Sequence, residues 1–322
     1  MHERIHRLLL RFFALAVVTW AVVQVSAQRT DQRDILFDSN ILFESNSGGK
    51  EIWAIRPDGS GFRRLTHSPT GTRNQTPRWS PDGRRIAFSS TRHAPRPENS
   101  DPWIYTDEIY VMNSDGSGLR RLTYGPQQSG SPDWSPDGRQ IAFESNRDGN
   151  WRIYVMDGNG SNVRRLTTDQ RFPSSRGEAG AVWAPDGKRI AFLSVRDGED
   201  SEIYILDLAT SNLTRLTDND AHDSHVAWSP DGQYLSFDSS RDGNSEIYVM
   251  RPDGSQVVRL TNHPRMDNAA RWSRDGQRLA FNSTRDYNGD DLGNMEIYVM
   301  NRDGSGLRRL TNNSTKDTHP DW

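Results

Sequence analysis

The chain has 322 residues, no cysteine and a formal net charge of −3. The lack of cysteine excludes disulfide staples, thiolate metal sites and a lipoprotein-type acylated N-terminus, and a chain of this length can bury its own core without them. The slightly acidic balance argues against nucleic acid as a partner.

Residues 1–27 begin with a basic segment (MHERIHR), continue with an apolar stretch (LLLRFFALAVVTWAVV) and end in Val25–Ala27, a small-residue site ahead of Gln28. This is the layout of a cleaved secretory signal peptide. The rival reading is a retained membrane anchor, but Arg11 interrupts the stretch and leaves roughly a dozen apolar residues, short of the ~20 a spanning helix needs. The expectation is a periplasmic or extracellular protein with no membrane span after cleavage, a short linker over 28–34 and one folded region over 35–322.

From residue 35 one phrase recurs: WSPDG, a strand such as RIAFSS, RDGN or a relative, EIYVM, DGS and RRLT. Trp79, Trp134, Trp183, Trp228 and Trp272 open five copies at gaps of 44 to 55 residues, and Trp322, in the terminal HPDW, opens a sixth. Such a period marks a solenoid, propeller or array. Each copy reads as four short strands: the tryptophan strand, an Ile-Ala-Phe strand, the Ile-Tyr-Val-Met strand and the Arg-Arg-Leu-Thr strand, rich where it matters in β-branched and aromatic residues. Ser-Pro-Asp-Gly supplies the first turn, with proline presetting φ and glycine accepting a positive φ; the Asp-Gly pairs at 115–116 and 303–304 signal a second. Four-stranded meanders repeated six times predict an all-β, six-bladed β-propeller. At the start of the repeat region, Ile41–Ser45 matches Ile141–Ser145, a second-strand segment, so the first blade lacks its own tryptophan strand. The C-terminal HPDW is expected to supply it and close the ring, pairing the two free edges with each other.

The WSPDG…IAF…EIYVM…RRLT unit resembles the repeat of the TolB-type propeller family, over residues 35–322. That resemblance implies an exported envelope protein whose propeller binds other proteins, such as an envelope lipoprotein or another exported partner; the chain itself is expected to be a monomer. TolB itself carries an α/β domain ahead of the propeller; only Gln28–Asp34 stand there in this chain, so a propeller without that domain is expected.

In a propeller, the loops after the second and fourth strands emerge on one face around the channel mouth, and binding is built on loops held by the scaffold. Two of these loops are long, residues 91–107 and 284–295. Trp103, Tyr105, Trp151 and Tyr287 are the aromatic candidates for partner binding there, since clustered loop aromatics anchor hot spots; alternatively Trp151 packs beneath the longer loop and holds it down. Arg92, Arg147, Arg196, Arg241 and Arg285 follow the second strand in five blades, with Ser47 in the first. Glu178, Asp223, Asp267 and Asp317 stand five residues before their tryptophans, where Asn74 and Ser129 occupy the other two blades. Arginine and carboxylate on one face invite bidentate pairs, either as fasteners repeated with the repeat or as a charged funnel for a polar ligand.

No cofactor or metal is expected. The nearest approach to a metal site is Asp220, His222 and His225 in the segment DNDAHDSH, where imidazole and carboxylate together suit a divalent ion. His225 and His319 share one repeat position. The segment from Asp286 to Asp290 begins like a calcium loop, but it has no glycine at the sixth place and carries Ile297 at the twelfth. The chain has no G-x-S-x-G elbow, P-loop, H-E-x-x-H or thiol nucleophile, so a non-catalytic scaffold is expected. A lyase or hydrolase acting on a polysaccharide or peptide at the channel mouth stays open, because paired carboxylates ring it.

Overall fold

Four antiparallel strands form from every copy of the repeat, and the computed structural model describes them over residues 40–46, 49–93, 106–168, 177–286 and 294–322. The segments read as signal peptide (1–27) and linker (28–34) lie outside the described residues, as do Trp103, Tyr105 and Tyr287. In chain order the strands are β1 (Ile41–Ser45), β2 (Glu51–Ile55) and β3 (Arg63–Arg64); β4 (Asn74–Trp79), β5 (Arg85–Ser90), β6 (Glu108–Asn113) and β7 (Arg120–Arg121); β8 (Ser129–Trp134), β9 (Gln140–Ser145), β10 (Arg152–Asp157) and β11 (Arg164–Arg165). They continue with β12 (Glu178–Trp183), β13 (Arg189–Ser194), β14 (Glu202–Asp207) and β15 (Leu213–Arg215); β16 (Asp223–Trp228), β17 (Leu235–Ser239), β18 (Glu246–Met250) and β19 (Val258–Arg259); β20 (Asp267–Trp272), β21 (Arg278–Ser283), β22 (Glu296–Asn301) and β23 (Arg308–Arg309); and β24 (Asp317–Asp321).

These make six four-stranded sheets, and the first has the order β24-β1-β2-β3. The C-terminal strand therefore completes the first blade, with Ser45 opposite Asp317, Glu44 opposite Thr318 and Leu42 opposite Asp321. The tryptophan strands touch one another in sequence around the ring, so they line the axis. No helix among the described residues is long and apolar enough to cross a membrane.

The core lies between blades rather than within them. Each of six apolar clusters joins two neighbours: Ala87, Ile109 and Val111 of the second blade, for example, pack against Trp134, Ile141, Phe143 and Tyr154 of the third. The sixth cluster unites Ile41, Phe43 and Ile55 with Ala280, Ile297, Val299 and Trp322, sealing the last blade to the first. A blade has two apolar faces and can bury both only in a closed ring.

The turns hold as their residues dictate. In Ser80–Gly83 the serine hydroxyl donates to Asp82 at 2.6 Å and accepts the Arg85 amide at 2.9 Å. Hydrogen bonds from Ser80 and the Arg84 amide outweigh partial burial and lower the Asp82 carboxyl, so this recurrent aspartate is turn chemistry. Gly116, at φ +90°, sits so close to the preceding blade that a Cβ there would lie 2.5 Å from the Leu65 carbonyl oxygen.

The fourth strand is shorter than the Arg-Arg-Leu-Thr phrase suggests, pairing over two residues in five blades and three in the other. The threonine explains why. Its hydroxyl accepts the amide of the third strand's second residue, as Thr66 does from Ile52 at 2.9 Å and Thr123 from Ile109 at 2.9 Å, and so takes the place of one backbone bond of the next rung. Each inner strand also carries a bulge, with the register slipping between Gln75 and Arg78 and at the equivalent place in the other blades. The bulged residue takes a left-handed backbone at Thr76, Ser131, Gly180, His225, Ala269 and His319. Only one of the six is glycine, so this bulge turns five ordinary side chains into an uncommon backbone region.

Candidate functional site

The face bearing the loops after the second and fourth strands is built from repeated polar stacks. Arg241 donates to both carboxylate oxygens of Asp223 at 3.1 Å, and its guanidinium lies 5.2 Å from the Phe237 ring and 5.0 Å from that of Tyr248. Arg196 pairs with Glu178 and Arg285 with Asp267, each through one carboxylate oxygen. In the two blades without a carboxylate, Arg92 bonds Asn74 at 2.7 Å and Arg147 bonds Ser129 at 3.3 Å. Each arginine reaches a partner 18 residues earlier in its own blade, and all five stack on the Phe and Tyr of that blade. In four of these blades the tyrosine hydroxyl then bonds an aspartate, as Tyr154 does with Asp148 and Tyr204 with Asp197, both at 2.6 Å, whereas Tyr110 of the second blade pairs with Nδ1 of His93 at 2.6 Å. Asp317, in the first blade, instead accepts from Asn313 at 2.8 Å, and burial pushes its carboxyl up to about 6.

Deeper in the channel the repeat stops repeating. The residue after each Ile-Ala-Phe segment is Glu44, Ser89, Glu144, Leu193, Asp238 or Asn282. Four of them accept the amide of the next blade's bulged residue: Glu44 from Thr76 at 2.7 Å, Glu144 from Gly180 at 2.8 Å, Asp238 from Ala269 at 3.0 Å and Asn282 from His319 at 3.2 Å. Glu44 and Asp238 also hold imidazoles, with His319 Nδ1 3.1 Å from Glu44 and His225 Nδ1 3.0 Å from Asp238. Burial raises the Glu44 carboxyl, but His319, Lys50 and the Thr76 amide overcome it and hold it at about 2. Burial likewise works against Asp238, and His225, Ser224 and the Ala269 amide lower it below the ordinary value. Asp107, in the second blade, is pushed up to about 6 by burial against the pull of Arg73 and Lys50.

At the far end a cavity of about 300 Å³ is bounded by all six repeat tryptophans together with Arg78, Arg271, Arg274, Asp133 and Asp321. Arg78 lies 3.9 Å from both aspartates. Asp133 accepts the Trp183 amide and Asp321 the Trp79 amide, each at 2.8 Å. Burial raises the Asp133 carboxyl to about 6 despite Arg78. Arg78, Arg271, Arg274, Asp133 and Asp321 and the Glu44–Asn282 set were not singled out from the sequence; the signal for both was available as the positions at which an otherwise uniform repeat varies.

Trp151 is half-buried beside a second opening, a cavity of about 380 Å³ on the loop face. Leu193 and Val195 give it an apolar wall, and Glu144, Glu178, Ser201 and His222 give it a polar one. The following segment clamps the tryptophan backbone, for the Glu178 amide donates to its carbonyl at 3.1 Å and Gly177 approaches so closely that a Cβ would overlap that oxygen. Asp220, His222 and His225 do not gather. His222 is exposed and lies 3.4 Å from Asp200, whereas His225 faces Asp238. No group of three or more His, Asp or Glu side chains placed to hold a metal occurs among the described residues.

A family model described as "TolB beta propeller domain" matches residues 105–178 and 170–289. The protein TolB homolog of Chlorobium luteolum is 33% identical over 153 residues, covering 38% of this chain and 35% of the relative. The uncharacterized peptidase YuxL of Bacillus subtilis is 33% identical over 118 residues, covering 36% of this chain but only 14% of the relative. The chain thus spans a minor part of the curated relatives it matches. Among solved structures, TolB from Acinetobacter baumannii superposes with a TM-score of 0.72 at 22% identity, over 89% of this chain and 67% of that one.

Proposed function

The chain belongs to the TolB β-propeller domain family, and from that premise we propose that it is an exported, non-catalytic scaffold of the bacterial cell envelope that recognises a protein partner through its loop face. The observation that carries this reading is the opening beside Trp151. A rigid aromatic sits half-buried on a clamped backbone, with Leu193 and Val195 on one side and carboxylates on the other. An apolar anchor point with a polar rim is the build of a protein-recognition hot spot. Three of the five arginines support a scaffold role, since Arg196, Arg241 and Arg285 spend their charges on carboxylates within their own blades. Export rests on the signal-like pattern of residues 1–27 and on the kinship with TolB proteins.

The test is retention of envelope proteins from the source organism on the immobilised protein, compared between wild type and Trp151→Ala. One defined protein held by the wild type and lost from the variant, with the variant's melting temperature unchanged, supports the reading. Equal retention by both, or retention of glycan in place of protein, overturns it and returns the channel to consideration as an enzyme site.

A further inference from the structure

We propose that His225 and His319 form a two-imidazole site for a divalent transition metal of the zinc, nickel or copper class within the propeller channel. The two residues belong to the fifth and first blades and occupy the bulged position of β16 and β24. The blade between them carries Ala269 at that position, and the short side chain lets the two rings meet with centroids 5.4 Å apart, tilted by 60°.

That spacing is what shared coordination requires. A zinc–nitrogen bond of about 2.0–2.1 Å places a ring centroid about 3.2 Å from the metal, and two such rings at a tetrahedral angle have centroids about 5.2 Å apart. Each imidazole is also oriented as a ligand is oriented. An almost wholly buried carboxylate stands beside one nitrogen of each ring: Asp238 is hydrogen-bonded to Nδ1 of His225 at 3.0 Å, and Glu44 lies 3.1 Å from Nδ1 of His319. The Asp238 hydrogen bond selects the His225 tautomer with a proton on Nδ1 and leaves the lone pair on Nε2, the usual arrangement behind a metal-bound histidine. Each carboxylate is itself fixed by a bulge amide of the next blade, Glu44 by that of Thr76 and Asp238 by that of Ala269. The histidine side chains remain about a third exposed, which gives an ion and its water access. With two protein ligands, water completes the shell, and the nitrogen donors favour zinc, nickel or copper over the oxygen-seeking calcium.

The experiment is calorimetric titration of zinc chloride into chelator-treated protein, with cobalt(II) absorption as a second readout and calcium as competitor. One zinc per chain is expected, with affinity falling about tenfold or more in His225→Gln and in His319→Gln and unchanged in His67→Gln, a surface histidine. Asp238→Asn should weaken binding by about 10–100-fold, as loss of an orienting carboxylate does elsewhere. If His319→Gln, in the closing strand, fails to fold, His225→Gln decides the matter. No zinc uptake, uptake unaffected by the channel variants, or displacement by equimolar calcium would overturn the proposal.

Discussion

Trp322 is the last residue of the chain, and in an open array it would be the least important tryptophan of the six. In this ring it is expected to matter as much as any. Its side chain is 8% exposed and packs on Ile41, Phe43, Ile55, Ala280, Ile297 and Val299, with the Arg278 guanidinium 4.5 Å from the ring. Truncating a buried tryptophan to alanine costs about 3–5 kcal/mol. For a domain of this size each kcal/mol lowers the melting temperature by about 2–4 °C, so Trp322→Ala should melt roughly 10 °C below the wild type. Trp228, in the middle of the chain, has the same 8% exposure and lies under Arg189 at 4.9 Å; Trp228→Ala should fall by a similar amount. Deleting residues 318–322 also removes the Asp321 carboxylate that accepts the Trp79 amide and the strand that covers β1, and should lower the whole transition rather than split it. Circular dichroism and near-ultraviolet melts read both effects. If Trp322→Ala melts within about 2 °C of wild type while Trp228→Ala loses roughly 10 °C, closure contributes nothing and the reasoning fails.

Arg241→Ala removes the charged partner of the fully buried Asp223, leaving it the Asn219 side-chain amide, and should cost about 3–5 kcal/mol. Arg147→Ala removes side-chain bonds only to the neutral Ser129 and Ser145 hydroxyls and should cost about 1 kcal/mol; equal losses in chemical denaturation would argue against the fastener role. Gly116→Ala combines an unfavourable positive φ with a Cβ placed 2.5 Å from the Leu65 carbonyl and should lower stability by about 1–3 kcal/mol, whereas an unchanged melt would show that the blades yield there. Stability should also vary with pH. Asp107, Asp133 and Asp317 are raised to about 6, so between about pH 6 and their unfolded value near 4 the native chain holds protons that the unfolded chain has released. Their effect strengthens the fold as pH falls through that window and is lost as pH rises through 6. Glu44, held at about 2, does the opposite, contributing stability above its unfolded value near 4.3 that is lost as pH falls towards 2. From these four groups melting temperature should therefore peak at about pH 4, with Asp133→Asn flattening the decline from 5 to 7; a melt that climbs over that interval contradicts the assignment.

The architecture was legible because each repeated word has local physics. Ser-Pro-Asp-Gly makes its own turn, Ile-Ala-Phe and Ile-Tyr-Val-Met make buried strands, and a first blade short of a tryptophan points to the chain end that supplies one. The length of the fourth strand was not legible, because the threonine hydroxyl that replaces a rung is indistinguishable in sequence from a strand residue. The bulge was hidden as well: it depends on a register slip, and Thr76, Ser131 and Ala269 carry no mark of a left-handed backbone. The arginines and their partners at a constant separation could be read as a set. The channel could not, because reading a repeat for sameness passes over the positions that differ. Glu44, Glu144, Asp238 and Asn282 gain their roles only when the next blade's amide is placed beside them. His225 and His319 were visible as one repeat position, yet their contact needs the knowledge that the fifth and first blades flank the one carrying Ala269.

The most direct test of the recognition face is photo-cross-linking in the native envelope, with p-benzoylphenylalanine at position 151 on the loop face or at position 119 on the opposite rim, where Leu119 is exposed. A discrete protein adduct from position 151 and none from 119 is the result expected of a scaffold that binds through its loop face. Adducts from 119 alone, or the same adducts from both positions, would contradict it.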